Sequence, residues 1–253
     1  MNFLSAFQSN EGVYFLNEPN SDFEGDYLKI REKENRVLSD DMVLNLPQMP
    51  SDYQHHQEWS LRQTSTKMVM EHLEKSHHKL ALDLGCGNGW FTNKLTDVAE
   101  SVIGLDVNMH ELKQAKRVFG NEGLSFCYAD VFTTDLPKSE FDLITVNAAI
   151  QYFPNAEKLI SRLLELLTQK GEIHIIDSPF YNADQVTSAV KRTEMYFANM
   201  GSSEMTKSYL HHTWESLYSF NQKVLFNPNH LKHKLTRKLG FAVSPFPWIV
   251  IRK

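Results

Sequence analysis

The sequence predicts an α/β domain with a mostly parallel sheet and helices on both of its faces. From residue 80 onward, short apolar runs alternate with longer amphipathic segments, which is the pattern of repeated strand–helix units. The 253 residues, 42% of them hydrophobic, suffice for one domain with a full core. The five apolar runs predicted as strands are Leu80–Leu84, Val102–Asp106, Leu124–Ala129, Phe141–Asn147 and Glu172–Asp177.

Helices are predicted between these strands and after them. Asn108 precedes Glu111 by three residues, a capping-box spacing, and apolar residues then recur at helical intervals. A leucine-rich stripe over 159–167 predicts a second crossover helix, which Gly171 is expected to end. Two β-prone pieces separated by prolines within Phe241–Ile251 predict a terminal pair of strands. The remaining predicted helices are Gln57–Lys75, Gln185–Asn199 and Glu204–Phe220.

The two ends of the chain differ in rhythm and in charge. Residues 1–60 hold 11 Asp/Glu against 4 Lys/Arg, and we interpret them as an N-terminal extension that forms a lid or substrate-side cap. Residues 61–253 are predicted to form the main domain, with a helical insertion around 178–228. Residues 185–253 hold 10 Lys/Arg against 3 Asp/Glu. Either the two ends pack together or the basic end faces an anion; the basic segment 230–238 is a solvated helix face or, alternatively, an anion-binding surface.

Composition excludes several classes of protein. The net charge of −5 argues against a general nucleic-acid binder. No apolar run approaches the roughly 18 to 20 residues that a membrane span needs, and residues 1–8 lack a basic leader, so we expect a cytoplasmic protein. Cys86 and Cys127 are expected to be reduced thiols. The adjacent histidines repeat no zinc-ligand spacing, so no metal site is predicted, and nothing indicates an oligomeric state.

The strongest pattern is the segment Leu80–Gly89, in which an apolar strand ends in Asp83 and leads into alternating glycines. Because Gly85, Gly87 and Gly89 have no Cβ, the backbone there can approach a ligand and adopt turns closed to other residues. This passage resembles the first motif of class I S-adenosylmethionine-dependent methyltransferases, an acid followed by Gly-x-Gly-x-Gly. In that family the loop wraps the amino-acid part of the cofactor.

A nicotinamide dehydrogenase is the competing class of enzyme. Its phosphate-binding turn is Gly-x-Gly-x-x-Gly/Ala, and the third glycine allows a helix to pack closely on the strand. Trp90 stands at the corresponding position here. A bulky indole does not suit that contact, so the sequence favours the methyltransferase over the dehydrogenase and over a purely structural turn.

The resemblance implies further cofactor contacts after the next two strands. Asp106 lies 23 residues beyond Asp83, close to the roughly 20-residue offset of the acid that binds ribose hydroxyls in dinucleotide folds. The alternative for Asp106 is an acid that a helix N-terminus favours. Asp130 matches the family's acid that accepts a hydrogen bond from the adenine amino group. The implied cofactor-binding residues are Asp83, Gly85, Cys86, Gly87, Gly89, Asp106, Val107, Asp130, Val131 and Asn147.

The resemblance also implies a Rossmann-like sheet of seven strands with a C-terminal antiparallel pair, and S-adenosyl-L-methionine as the cofactor. Gln151 and Tyr152 follow the fourth predicted strand, where many relatives place residues near the transferred methyl group. A general base is optional because the sulfonium activates the methyl group. The weak catalytic candidates are Tyr152, His55, His56, His211 and His212, with Glu58 as a further possible base.

Substrate choice in this fold resides in variable segments rather than in the core. Aromatic residues in those segments predict a small, partly apolar or ring-bearing acceptor, although core packing explains aromatic residues equally well. Two alternatives stay open: methylation of RNA or protein, and a non-catalytic S-adenosylmethionine-binding partner subunit of another methyltransferase. The aromatic residues are Tyr14, Phe15, Tyr181, Tyr196, Phe197, Tyr209, Trp214 and Tyr218.

Overall fold

A computed structural model describes residues 3–18 and 21–253, and for residues 21–24 and 26 it describes the backbone alone. The strands are β1 Ser9–Asn10, β2 Val13–Phe15, β3 His78–Leu84, β4 Ala99–Asp106, β5 Leu124–Tyr128, β6 Phe141–Asn147, β7 Leu167–Ile176, β8 Asn221–Phe226 and β9 Trp248–Arg252. The α-helices are α1 Ser21–Lys33, α2 Asp40–Leu44, α3 His56–Leu73, α4 Trp90–Leu95, α5 Met109–Phe119, α6 Ala156–Leu166, α7 Ala183–Asn199 and α8 Leu231–Lys238.

The strands form one sheet in the order β1-β2-β5-β4-β3-β6-β7-β9-β8. The five neighbouring strands β5, β4, β3, β6 and β7 are parallel to one another. Strand β9 lies between β7 and β8 and is antiparallel to both. The α/β class, the five predicted strands and a C-terminal antiparallel pair are therefore confirmed. In an open parallel sheet, ligands bind beyond the carboxyl ends of the strands, so the ends of β3, β4, β5 and β6 position the site.

The sheet has nine strands among the described residues, whereas seven were predicted. The two additional strands form a hairpin in the N-terminal extension, and β2 pairs in parallel with β5, with Val13 opposite Phe126. These strands are only two and three residues long, so they carry no apolar run that a sequence pattern could reveal. Residues 1, 2, 19 and 20 of the predicted extension lie outside the described residues, and its role as a lid stays a prediction.

Three other predictions near the C-terminal half were wrong. The terminal pair consists of β8 and β9 with α8 between them, rather than two strands within Phe241–Ile251. The predicted helix Glu204–Phe220 is replaced by two short 3-10 helices, Ser203–Ser208 and Trp214–Leu217. Between them the chain is extended because the Leu210 N–H donates to the Gln151 carbonyl at 2.7 Å. Gly171 lies inside β7, and α6 already ends at Leu166.

The core has two layers because successive side chains of a strand point to opposite faces. On β3, Ala81 packs in the layer covered by α3, α4 and α5, whereas Leu82 packs in the layer covered by α6. Asn108 caps α5 as predicted, since its Oδ1 accepts the Glu111 N–H at 3.1 Å. None of the described helices has the length and apolar composition that crossing a membrane requires.

Candidate active site

The glycine loop between β3 and α4 has a backbone that glycine alone adopts readily. Gly85, Gly87 and Gly89 have φ angles of +73°, +52° and +75°. A side chain at such a position is strained whatever space surrounds it. The Gly85 N–H donates to the Leu105 carbonyl at 2.8 Å, which ties the loop to the end of β4.

The first two glycines also lie close to other parts of the protein. A Cβ at Gly85 would meet the Cβ of Ala149 at 2.5 Å, on the segment that follows β6. A Cβ at Gly87 would lie 3.0 Å from Oε2 of Glu111 on α5. Larger side chains at these two positions would therefore displace the segments that surround the loop.

Gly89 serves packing rather than the cavity beside the loop. A Cβ at Gly89 would lie 2.7 Å from both Ala115 and the Phe126 ring, and Gly89 does not border the cavity. Trp90 is buried, with its ring edge-to-face against Trp59 at 5.5 Å between centroids. The close helix–strand contact is thus made one residue earlier than in the dehydrogenase turn.

A cavity of about 410 Å³, here called the first cavity, lies at the carboxyl ends of the parallel strands. This volume falls within the roughly 300–1,000 Å³ typical of ligand pockets. Apart from Gly89, every residue in the predicted cofactor-binding set borders it, and so does Tyr152. These residues are Asp83, Gly85, Cys86, Gly87, Asp106, Val107, Asp130, Val131, Asn147 and Tyr152.

Asp83 connects the glycine loop to its neighbours. Its side chain is buried and accepts hydrogen bonds from the hydroxyls of Thr92 and Thr145, each at 2.7 Å. Burial raises the pKa of Asp83 to about 6, and the two threonine hydroxyls oppose that shift. These contacts join the end of β3 to α4 and to β6, so Asp83 positions the loop.

Asp106, at the end of β4, binds the glycine loop from the neighbouring strand. Its Oδ2 accepts the Gly87 N–H at 2.8 Å, and its Oδ1 accepts the N–H groups of Val107 and Asn108 at 2.7 and 2.9 Å. Hydrogen bonds of this kind to a carboxylate are charge-assisted and strong. The carboxylate of Asp106 is therefore held at the border of the first cavity in a single orientation.

The N-terminal extension contacts the loop that carries Asp130. Oδ1 of Asn17 accepts the Asp130 N–H at 2.8 Å and also the hydroxyl of Thr134. The carboxylate of Asp130 accepts the Phe132 N–H at 2.9 Å. Val131 is buried, and its carbonyl accepts a hydrogen bond from Arg162 at 3.1 Å. The loop after β5 is thus tied to both the extension and α6.

Glu111 also borders the first cavity, beside the acids Asp83, Asp106 and Asp130. Burial raises its pKa to about 7, the neighbouring Asp106 adds to the shift, and Arg31 opposes it. Two buried polar atoms at this cavity, Oδ1 of Asn147 and Nδ2 of Asn108, have no hydrogen-bond partner among the described residues. An unpartnered buried polar atom costs about 1–3 kcal/mol, so these two atoms mark positions where a polar ligand would be stabilised.

A second cavity, of about 610 Å³, adjoins the first and is bordered by α1, α3, α7 and the ends of β6 and β7. Four of the aromatic residues that were predicted to form an acceptor pocket line this cavity, namely Tyr181, Tyr196, Phe197 and Tyr209. The predicted aromatic residues that line neither cavity are Tyr14, Phe15, Trp214 and Tyr218. The residues that border both cavities are Tyr27, Arg31, Arg36, Glu58, Arg62, Ala148 and Tyr152.

Three arginines and Glu58 form part of the shared wall, and Glu34 borders the second cavity beside them. Glu58 binds Arg36 at 2.5 Å and Arg62 at 3.0 Å. Although burial opposes it, the hydrogen bonds and charges of these two arginines lower the pKa of Glu58 to about 2. Glu34 lies 3.5 Å from Arg31 and 3.3 Å from Arg36. Three guanidinium groups thus face two carboxylates directly, and the carboxyl groups of Glu111 and Asp177 also act electrostatically on Arg31 and Arg62.

The ends of β6 and β7 carry backbone that non-glycine residues rarely adopt. Ala148 and Asp177 have φ angles of +52° and +47°, and such strain clusters at functional sites. Asp177 is buried and accepts hydrogen bonds from Ser65 and Ser244 at 2.6 and 3.0 Å, and burial raises its pKa. Gln151 donates to the Ala148 carbonyl at 2.6 Å, while its buried Oε1 has no partner among the described residues.

Comparison with known families decides what this arrangement is. The model of the family described as "Methyltransferase domain" matches residues 75–236, which include the glycine loop and the parallel strands. The chain belongs to this methyltransferase family. The predicted resemblance to class I S-adenosylmethionine-dependent methyltransferases is thereby confirmed.

Solved structures of other proteins show the same fold as this chain. YcgJ of Bacillus subtilis superposes with a TM-score of 0.57 at 15% identity, covering 76% of this chain and 99% of its own. Geranyl diphosphate C-methyltransferase of Streptomyces coelicolor, in complex with S-adenosyl-L-homocysteine, superposes with a TM-score of 0.56 at 13% identity, covering 83% of this chain and 82% of its own.

An uncharacterized methyltransferase of Mycobacterium tuberculosis is 30% identical over 95 residues, which cover 38% of this chain and 48% of that protein. The chain spans about half the length of the first such curated relatives that it matches.

The structure places the predicted catalytic candidates in different surroundings. The ring of Tyr152 borders both cavities and lies edge-to-face between the rings of Tyr27 and Tyr209, each 5.9 Å away. None of the four histidines lines either cavity, and each has a ring nitrogen within hydrogen-bond distance of another protein atom; two of the partner residues, Glu34 and Thr193, line the second cavity. Those contacts are His55 to the Glu34 carbonyl (2.6 Å), His56 to the Met49 carbonyl (3.0 Å), His211 to the Thr193 hydroxyl (2.9 Å) and His212 to the Ile150 carbonyl (3.0 Å).

Several residues at the site had no sequence signal. The arginines of the shared wall come from the extension and from α3, and nothing in their local sequence predicts that they meet. Glu111 was predicted only as part of a capping box, yet its carboxyl group borders the first cavity. Its place on the first turn of the helix after β4 is a signal that could have identified it, because that turn faces the glycine loop.

Proposed function

We propose that this methyltransferase binds S-adenosylmethionine in the first cavity and transfers the methyl group to a small molecule held in the second cavity. The observation that carries the proposal is the shared wall: the cavity beside the glycine loop and the aromatic cavity share seven residues, Tyr152 among them. When bound, the sulfonium supplies a methyl group that is already activated. A positive charge on the ligand suits a cavity bordered by Asp106, Glu111 and Asp130.

The chemistry of the first cavity fits this cofactor group by group. Asp106 would accept the ribose hydroxyls, and Asp130 would accept the adenine amino group. Asn147 Oδ1 and Asn108 Nδ2 offer one acceptor and one donor that the protein leaves unpartnered among its described residues. The cation also favours the ionised form of Glu111, whose pKa burial has raised.

The second cavity supports an acceptor with an apolar or ring-bearing body and an anionic group. Tyr181, Phe197 and Tyr209 supply aromatic surface. The arginines of the shared wall supply the charge that recognises a carboxylate or phosphate. The name of geranyl diphosphate C-methyltransferase, a structural neighbour, also indicates a small-molecule acceptor, although that similarity of structure by itself shows only the fold.

The protein's own part in the reaction is to hold the acceptor in line and to exclude water. Tyr152 stands where the two cavities meet, and its edge-to-face contacts with Tyr27 and Tyr209 fix its ring. No histidine is among the described residues that line the two cavities. A mechanism that relies on positioning therefore agrees with the geometry better than one that relies on an imidazole base.

Transfer of labelled methyl groups tests the proposed function. S-adenosylmethionine labelled in its methyl group is incubated with the protein and with separated small-molecule, RNA and protein fractions of a cell extract. We expect label to appear in the small-molecule fraction and to be absent when the Gly87→Val variant is used. Label only in RNA or protein would establish a macromolecular acceptor, and binding of S-adenosylmethionine without label in any fraction would favour a non-catalytic subunit.

The pH dependence of cofactor binding tests the role of Glu111. Because its pKa is about 7 and a bound cation favours the carboxylate, affinity for S-adenosylmethionine should rise as the pH increases through 7 and level off above it. Between pH 6 and 8, we expect the affinity of the Glu111→Gln variant to rise about three- to tenfold less than that of the unaltered protein. Calorimetric titrations of both proteins, with the exposed Glu100→Gln as control, measure it. Parallel pH profiles for Glu111→Gln and the unaltered protein would remove Glu111 from the site.

A further inference from the structure

Helix α8 exposes a continuous apolar stripe that no described residue covers. Leu231, Leu235 and Leu239 follow one another at four-residue spacing, which places them on one face of the helix. Their exposed fractions are 69%, 52% and 75%, and Phe241 just beyond the helix is 65% exposed. We call these four residues the α8 patch. Contiguous exposed apolar patches mark protein or membrane interaction sites.

The opposite face attaches α8 to the rest of the protein. The ring of His233 lies 4.4 Å from that of Phe226 at the end of β8, measured between centroids. Arg237 donates to the Pro228 carbonyl at 2.8 Å and to the Ser244 carbonyl at 3.5 Å. These contacts orient the helix, so the α8 patch points away from the protein.

Basic residues flank the patch. With 3.6 residues per turn, Lys232 lies on one side of the leucine stripe, and Lys234 and Lys238 lie on the other; all three are exposed. The 38 residues after Glu215 contain seven Lys/Arg and no Asp/Glu. Burial lowers the pKa of His233, and the positive charges of Lys232 and Arg237 lower it further.

We propose that the α8 patch binds the anionic lipid surface of a membrane. Leucine and phenylalanine side chains would enter the boundary between headgroups and acyl chains, and the flanking lysines would contact lipid phosphates, as in interfacial amphipathic helices. A second copy of the chain is a poorer occupant because a twofold contact would bring the lysines of the two patches together. RNA would pair with the lysines but would leave the leucines without a partner.

The location of the patch connects it to the second cavity. The segment that follows α8 contributes Ser244, Pro245 and Phe246 to the wall of that cavity. A lipid surface at the α8 patch would therefore lie close to the chain segment that closes the proposed acceptor site. The inference itself stands on exposure and charge and does not depend on the proposed methyl transfer.

Sedimentation with lipid vesicles tests this inference. The full chain is mixed with vesicles of phosphatidylcholine alone or of equal parts phosphatidylcholine and phosphatidylglycerol. We expect binding to the anionic vesicles that weakens as salt is added, and little binding to the neutral ones. Failure to bind anionic vesicles, or equal binding to both kinds, would overturn the proposal.

Matched variants locate the binding surface. We expect Leu235→Ser with Leu239→Ser to weaken binding to anionic vesicles about tenfold or more. Lys232→Glu with Lys238→Glu should weaken it to a similar degree. The control combines Leu44→Ser on α2 and Met195→Ser on α7. These substitutions replace one leucine and one methionine whose exposed fractions are 59% and 67%. Binding by the control should be unchanged.

Two further measurements keep the outcome unambiguous. Circular dichroism should show equal helical content and equal unfolding temperatures for all three variants, since every replaced side chain is exposed. Size-exclusion chromatography without lipid should show the same size for the unaltered protein and the leucine variant. A dimer that the leucine variant alone dissociates would show that a second copy covers the patch, and the proposal would be wrong. Retained vesicle binding by both patch variants would also contradict it.

Discussion

Replacing Gly87 by valine is expected to abolish detectable binding of S-adenosylhomocysteine while the protein keeps its helical content. Gly87 has a φ of +52°, which a β-branched residue adopts only with strain, and its N–H donates to Asp106. A Cβ there would lie 3.0 Å from Oε2 of Glu111, so two acids of the first cavity would be displaced together. Calorimetric titration measures the binding, and circular dichroism measures the fold.

Gly240 provides the matched control for this substitution. It also has a left-handed backbone, with a φ of +85°, but an added Cβ would meet no atom within 4 Å, and Gly240 borders neither cavity. Gly240→Val should therefore carry a comparable backbone strain and bind S-adenosylhomocysteine with unchanged affinity. If Gly87→Val bound as tightly as the control, the glycine loop would not be the cofactor site.

Replacing Asp106 by alanine should weaken S-adenosylhomocysteine binding by about 1.5–3 kcal/mol, or about 10- to 150-fold. The substitution removes the carboxylate proposed to bind the ribose. It also removes the acceptor of the N–H groups of Gly87, Val107 and Asn108, so the loop loses its orientation. Calorimetry gives the affinity, and thermal unfolding shows how much of the effect arises from lost stability.

Asp142 separates these two contributions. Its carboxylate also accepts backbone N–H groups, from Lys79 at 3.0 Å and Leu80 at 3.4 Å, but it borders neither cavity. Asp142→Ala should therefore lose stability to a similar degree and keep its affinity for S-adenosylhomocysteine. An equal loss of affinity in both variants would assign the effect of Asp106→Ala to folding and would remove Asp106 from the proposed contacts.

Much of the cofactor side of the site was predictable because it follows the strands. Each parallel strand ends at the same edge of the sheet, so residues that directly follow a strand must converge there. Asp106 and Asp130 were identified through the family resemblance by their places at the ends of successive strands, and both border the first cavity. Gly89 was the exception: its close neighbours are Ala115 and Phe126, and only packing in three dimensions shows that it faces them rather than the cavity.

The acceptor side was predictable only in composition. Tyr181, Tyr196 and Tyr209 were noted, but no local period connects them to Tyr27 and Tyr152, which line the same cavity. The histidines stood out in the sequence because of their chemistry. In the structure their ring nitrogens bind backbone carbonyls or Thr193, since a polar group in a partly buried segment must find a partner nearby.

The amino-acid sequence by itself determined the alternation of strands and helices, the glycine loop and the acids at or just beyond the ends of β3, β4 and β5. These features depend on local periodicity and on backbone preferences, which neighbouring residues set. The tertiary structure alone decided the N-terminal hairpin, the arginine cluster of the shared wall and the outward direction of the α8 patch. Each of these depends on contacts between segments that are far apart along the chain, and such contacts form only when the whole sheet is assembled.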